Sequence, residues 1–246
     1  MDTGKPTGRR LALTAAAATV LLLFALLPAT ASADSTSLTL VASPETIAYG
    51  GASVLTGTLM NTTTETAVGG QPILVESSPS GTGPWSTVAI ITTLSGAPEY
   101  YTGTYTLVVR PRDKTFYRLT FEGTAQLDPA SSAAVAVTPQ VWLSRPKVPR
   151  RALAGQLFRV TCFIQPRHPA GLRNVVKFQF YRYQRPNWVL RKTKWARTSN
   201  YLNFTKLTLR TSIRTPGLWK VRALAPADAK HATSYSAFSK RFRVVR

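Results

Sequence analysis

Two sets of side chains in this 246-residue sequence could do chemistry, and both fall in its C-terminal half. The first is small: Arg167 and His168 in PRHPAG, residues 166–171, and Asp228 and His231 in PADAKHATS, residues 226–234. Two imidazoles, a carboxylate and a guanidinium are acceptable groups for a metal ion or a small anionic ligand. The plainer alternative is bracing, in which Asp228 pairs with Arg167 or caps loop amides while the prolines stiffen the turns. Bracing is the favoured expectation, because metal sites supply three or four ligands at a recognisable spacing and these four residues do not. No metal and no cofactor is expected.

The second set is a crowd of cations. From Gln140 to Arg246 there are 24 Lys and Arg residues against a single acid, Asp228, whereas Asp34 to Pro139 holds four basic and eight acidic residues. Such asymmetry bears on partners and solubility rather than on fold. Arginine outnumbers lysine 16 to 8 in the basic half, and its planar fork suits phosphate or carboxylate. The expected partner is therefore an anionic polymer: a wall teichoic-type polymer, an acidic polysaccharide or another phosphate-rich surface. Nucleic acid should also be held in vitro through nonspecific phosphate contacts that salt weakens. The bland alternative is a well-solvated surface that binds nothing in particular.

Catalysis finds little to work with. A two-carboxylate hydrolase needs a pair of acids about the bond, and the basic half has one. The single cysteine, Cys162, alternates onto the apolar face of its segment and reads as a small core residue. There is no glycine-rich phosphate loop opening a helix and no zinc-type spacing. The expectation is a protein that is not an enzyme.

Positioning the cations requires strands. In LFRVTCFIQ, Phe158, Val160, Cys162 and Ile164 share one face, and WKVRA alternates Trp219, Val221 and Ala223 with Lys220 and Arg222. This is the period of two of a half-buried strand. With Phe158, Leu207, Trp219 and Phe242 inward, Lys177, Lys220, Arg222, Arg241 and Arg243 point outward from strands of one sheet, and Arg191, Lys192, Lys194 and Arg197 are placed on the adjoining strand. Trp188 and Trp219 read as core, while Tyr181, Tyr183 and Trp195 are the aromatic candidates for exposure. The acceptor-like triplets Asn61-Thr62-Thr63 and Asn203-Phe204-Thr205 carry little weight in a bacterial-looking chain.

The N-terminal half has the same character. SLTLVA, SVLTGTL, QPILVESS, STVAIITT, GTYTLVV, FYRLTFEG and SSAAVAVTP are seven strand candidates at the spacing of an antiparallel sandwich. Trp85 and Tyr117 repeat the spacing of Trp188 and Trp219, which predicts two copies of one plan. Ahead of them, Lys5, Arg9 and Arg10, the apolar run Leu11–Leu27 and Ala31-Ser32-Ala33 read as an export signal cleaved before Asp34, with Arg9-Arg10 a faint pointer to the twin-arginine route. The run is short for a membrane span, and a single cysteine cannot form an intrachain disulfide, so a secreted chain would be held by its cores. The predicted division is a signal at 1–33 and sandwiches at 34–138 and 139–246, with a proline-bearing junction from Val137 to Arg150.

Through AYGGASVLTGTL, GPWSTVA and GTYTLVVRPRDKTFYRLTFEG, the first sandwich resembles the bacterial immunoglobulin-like repeats of secreted surface proteins. Through PRHPAG, GLWKVRA and APADAKHATSYS, the second resembles a sandwich domain of secreted actinobacterial proteins of unassigned activity. The resemblance implies an all-β chain of two tandem immunoglobulin-like antiparallel β-sandwiches, secreted or extracellular and associated with the cell surface. In such a sandwich the PRHPAG and PADAKHATS loops would lie at one end, bringing Arg167, His168, Asp228 and His231 together.

Overall fold

The computed structural model describes Thr3, residues 32–96 and residues 102–246, which consist of strands, turns and loops. No helix among the described residues is long and apolar enough to cross a membrane. The expected export segment, with Lys5, Arg9, Arg10 and Leu11–Leu27, lies outside the described residues.

Eleven strands precede Gln140. They are β1 (Thr36–Leu38), β2 (Val41–Ser43), β3 (Thr46–Ile47), β4 (Ser53–Asn61), β5 (Thr66–Ala67) and β6 (Pro72–Ser78). Next come β7 (Ser86–Thr92), β8 (Thr104–Val109), β9 (Thr115–Phe121), β10 (Ala130–Ser131) and β11 (Val135–Pro139). Ten follow, beginning with β12 (Trp142–Leu143), β13 (Arg151–Leu153), β14 (Phe158–Gln165), β15 (Lys177–Gln184) and β16 (Asn187–Trp195). The chain ends with β17 (Arg197–Tyr201), β18 (Phe204–Thr211), β19 (Gly217–Ala225), β20 (Ser234–Tyr235) and β21 (Phe242–Val245).

These strands make two sandwiches on one plan. In the first, a sheet built on β4 with β1, β2, β5 and β8 faces a sheet ordered β3-β11-β9-β6-β7, with β10 on β9. In the second, a sheet ordered β12-β14-β18-β17 faces one ordered β13-β21-β19-β15-β16, with β20 on β19. The repeat extends to detail, since β3 pairs β11 and β13 pairs β21 in parallel while the other strand pairs are antiparallel.

Alternation does the folding work. Strand β19 buries Trp219, Val221, Ala223 and Ala225 and turns the intervening residues outward. It meets Val160, Cys162, Ile164 and Leu207 of the opposing sheet, with Phe178, Phe180 and Phe242 fully enclosed between the layers. A separate cluster of Leu55, Leu59, Ile73, Val75, Leu119 and Phe121 fills the first sandwich. Each core is self-contained, which suits a chain without disulfides. The proline-bearing segment after Val137 is no free linker: Trp142 and Leu143 already pair with β14, and Lys147 bridges Thr161. Composition points to a junction here, but the backbone groups of these residues are needed to pair the edge of β14.

Cys162 is 1% exposed, its Sγ sits 2.8 Å from the Ser144 carbonyl, and burial pushes its thiol up to about 11 against the opposing hydrogen bonds to Ser144 and Phe163. The thiolate that would attack a reagent is therefore absent at neutral pH. Folded protein is expected to resist thiol labelling that goes to completion in denaturant, a contrast that mass spectrometry reads directly. Rapid labelling of the native chain would contradict this placement.

Candidate anion-binding face

The outer face of the sheet β13-β21-β19-β15-β16 carries Lys177, Lys220, Arg222 and Arg243, with Arg241 just before β21. Register puts them in rows: Gln179 opposite Arg222, Tyr181 opposite Lys220, and Leu218 opposite Arg243. Like charges, which would destabilise the sheet if they stood directly opposite, are thus kept from facing one another on β15 and β19.

What lies beside these cations is aromatic. Lys177 Nζ is 4.5 Å from the Trp195 ring centre, and Lys220 Nζ is 4.5 Å from Trp188 and 3.7 Å from Phe238. The Arg222 guanidinium is 4.3 Å from Tyr235 and 5.4 Å from Tyr181, and Arg241 lies 5.6 Å from Trp188. Tyr181 meets Phe238 edge-on, and Tyr183 leans on Trp188. Each cation over a ring gains about 0.5–1 kcal/mol at such exposed sites, and Arg222 also donates from Nε to Gln179 Oε1 at 2.9 Å, a neutral acceptor. The rings fix the cations without cancelling their charge. Burial first, then Arg241 and Arg222, hold the Lys220 ammonium below its usual value, so an anion placed here would relieve a crowded positive site.

The first sandwich shows the same pair neutralised. Arg118 on β9 lies 4.4 Å from the Trp85 ring, as Lys220 on β19 lies over Trp188. Opposite Arg118, however, stands Glu76, whose carboxylate accepts from Arg118 Nε at 2.8 Å and from Thr120 Oγ1 at 2.8 Å. The hydrogen bond from Arg118 holds that carboxyl below its usual range against the opposing effect of burial. In the second sandwich the position of Glu76 is taken by Tyr181. Among the described residues, Lys230 is the one Lys or Arg after Gln140 that forms an ion pair.

Several residues lie elsewhere than alternation along the chain places them. Lys192 and Lys194 stand opposite Phe180 and Phe178, so they point to the side of β16 that faces the other sheet. A bulge between Phe180 and Tyr181, where Arg191 is the extra residue on β16, puts them out of phase with Trp188 and Leu190, which share their parity along the chain. Trp188 lies on the outer face, so it is not core, whereas Trp219 is 3% exposed. Arg197 belongs to β17 in the opposite sheet. Tyr181, Tyr183 and Trp195 do lie on the outer face. Sequence reasoning missed Tyr235 and Phe238 as partners of Arg222 and Lys220; their signal was their aromatic type beside a short strand, which spacing along the chain does not connect to β19.

The loop residues do not assemble into one ligand site. Thr205 Oγ1 accepts from the His168 backbone N–H and donates to its carbonyl, and the His168 ring rests against the Pro166 carbonyl. Asp228 accepts from the Lys230 and His231 backbone N–H groups at 2.7 Å each, and its side chain meets the His231 ring. Burial opposes ionisation of Asp228, but these hydrogen bonds prevail and hold its carboxyl below the usual value. The loop then reaches the first sandwich: Lys230 Nζ is 2.9 Å from Asp113 Oδ2, Lys114 N–H donates to the Lys230 carbonyl, and buried His231 lies between Asp228 and Asp113. No hydrogen bond or ion pair joins Arg167 or His168 to Asp228 or His231 among the described residues, and no group of three or more His, Cys, Asp or Glu there could hold a metal. Asp228 is claimed by the backbone amides of its own loop, and His231 lies between it and Asp113 of the neighbouring sandwich. The mildly acidic half thus meets this loop through Asp113 and Lys114, while Tyr183, Trp195 and Tyr235 among the cations are exposed.

No protein-family model matches the chain, and no curated protein matches it. Among solved structures, a superoxide reductase (neelaredoxin) from Ignicoccus hospitalis is 20% identical at a TM-score of 0.26, over 41% of this chain and 80% of that one. The Yersinia pseudotuberculosis adhesin InvE is 20% identical at a TM-score of 0.33, over 86% of this chain. The chain spans 59% of that adhesin's length.

Proposed function

We propose that this is a secreted, non-catalytic cell-surface protein whose second sandwich binds anionic extracellular polymers, such as a wall teichoic-type polymer, an acidic glycan or a phosphate-rich surface. One observation carries the reading: the cations of the outer face are held by aromatic rings, while the equivalent cation of the first sandwich is satisfied by Glu76. A face built this way is fixed in place and still lacks counter-charge. Its counter-charge then comes from outside, and release of the polymer's own counterions favours the exchange. The first sandwich serves as the spacer that presents it.

The test is retention of the full chain on a phosphorylated or sulfated matrix across a salt gradient, with a neutral matrix as control. Retention should fall steeply with salt and ignore chelators. Tyr181→Glu, which restores the carboxylate that the first sandwich has, is expected to weaken retention about tenfold, the equivalent of about 1.4 kcal/mol. Equal retention on the neutral matrix, or a Tyr181→Glu protein that elutes with the wild type, would overturn the proposal.

A further inference from the structure

The second sandwich has an open side, and its cause is topological. Strand β17 pairs with β18 only from Phe204 to Thr208, so the rest of β18 and the turn after it have no strand on that flank. Edge strand β16 of the other sheet passes above this gap and sends Lys192 into it, where Nζ donates to the Ser212 carbonyl at 2.5 Å. Two clefts lie in succession along the flank. The first, about 610 Å³, is bordered by Arg173, Arg197 and Arg210 with Trp195, Thr208 and Ser199. The second, about 520 Å³, is bordered by Arg182, Arg191, Lys192 and Arg214 with Ser212 and Thr215. Neither border contains a carboxylate.

We infer that this flank is a groove that takes a linear acidic polysaccharide lengthwise, a site that adjoins the outer face at Trp195 and rests on the polyanion-binding reading above. The two clefts follow consecutive residues of one segment, Thr208–Arg210 and then Ser212–Arg214. Six residue steps at about 3.3 Å each make the track roughly 20 Å long, room for several sugar rings. Trp195, 41% exposed, offers a flat apolar surface to a ring, the guanidinium forks take carboxylate or sulfate two oxygens at a time, and the hydroxyls of Ser199, Thr208, Ser212 and Thr215 suit sugar hydroxyls. A ring-free polyphosphate would use the cations and waste the tryptophan. A single-stranded nucleic acid would want a platform for each base, and the groove has one exposed indole.

The second cleft is built rather than incidental. Arg182 Nη2 donates to the Pro216 carbonyl at 3.0 Å, and its buried Nε has no hydrogen-bond partner. Gly217, at φ 138°, lets this guanidinium lie against the backbone; a Cβ there would meet Arg182 Nε at 3.1 Å. Burial, and then the charge of Lys194, hold Lys192 below its usual value, and a bound anion would offset both.

The experiment titrates the full chain with size-graded oligosaccharides of a carboxylated and sulfated glycan, by calorimetry, with inorganic polyphosphate and single-stranded oligonucleotides in parallel. Affinity should rise with chain length until both clefts are spanned and then level off. Arg197→Gln with Arg210→Gln should lose at least tenfold for the long oligosaccharide while matrix retention at the outer face persists, and Trp195→Ala should lose affinity for the glycan and not for polyphosphate. Both sets of substitutions lie on the surface, and circular dichroism of each variant is the control for folding. Groove substitutions without effect, beside outer-face substitutions that abolish binding, would overturn the groove and leave the general reading standing. Equal or tighter binding of polyphosphate or oligonucleotide would overturn the polysaccharide. Absence of binding to every polyanion would overturn both.

Discussion

Replacing Lys220 and Arg222 together by glutamate is expected to lower retention on an anionic polymer roughly a hundredfold or more near physiological salt, where each cation at an anionic surface contributes about 1 kcal/mol and reversal counts twice. The two side chains occupy adjacent outward positions of β19, the central strand of the exposed face. No described carboxylate faces them. Reversal therefore places two negative charges among Lys177, Arg241 and Arg243 and acts in two ways, by removing attraction and by adding repulsion. The salt dependence should flatten as well, by about one unit of slope for each cation withdrawn from the polymer. Stability should fall by no more than a few kcal/mol, because the fold gives up the exposed pairings of Lys220 and Arg222 with rings, at about 0.5–1 kcal/mol each, and the hydrogen bond from Arg222 Nε to Gln179. The neutral pair Lys220→Gln and Arg222→Gln should fall between wild type and the reversed protein. A reversed protein that stays folded and elutes at the wild-type salt concentration would leave the outer face without a function.

The second large effect concerns stability. Phe178→Ala is expected to cost about 3–5 kcal/mol, the usual penalty for removing an enclosed phenyl ring whose surroundings cannot collapse. Phe178 is 0% exposed and sits among Phe180, Val221, Ala223 and Ile164. The damage should be felt in one sandwich alone, because the two apolar clusters share no residue. Calorimetry should show one melting transition displaced downward and the other nearly unmoved. The loop carrying Asp228, Lys230 and His231 couples the halves through a handful of polar interactions, too few to merge two cores into one cooperative unit. A single transition that moves as a whole would show that the coupling through Asp113 and Gln140 is stronger than its exposed ion pair implies.

Much of the architecture is legible from residues in order. Alternation in LFRVTCFIQ and GLWKVRA names the buried side of β14 and β19, and Val160, Cys162, Ile164, Trp219 and Val221 are enclosed. The matched spacing of Trp85 with Tyr117 and of Trp188 with Trp219 announces a repeated plan, which the two sheet orders share. Strand candidates such as QPILVESS and FYRLTFEG sit on β6 and β9, since short Val- and Thr-rich runs between turn residues have few other folds open to them.

The functional detail is harder to read because it depends on pairing between distant strands. One extra residue, Arg191, breaks the phase of β16, so that Trp188 and Leu190 face outward while Lys192 and Lys194 face the other sheet, although all four share one parity along the chain. Nothing in RKTKWAR marks that residue as the unpaired one. The brevity of β17 opens the flanking groove, and that too is a matter of which residues find partners.

The chain's order of residues determined by itself that the molecule is made of strands, that it has two similar halves, and that almost all its positive charge lies in the second, because alternation, repetition and charge are properties of neighbours along the chain. Only the tertiary structure decided that Tyr181 stands where Glu76 stands in the first half, and that Lys220 and Arg222 rest on rings rather than carboxylates. Whether a charge is satisfied depends on what lies across the sheet, 42 residues away in the case of Glu76 and Arg118, and that distance is bridged only by folding.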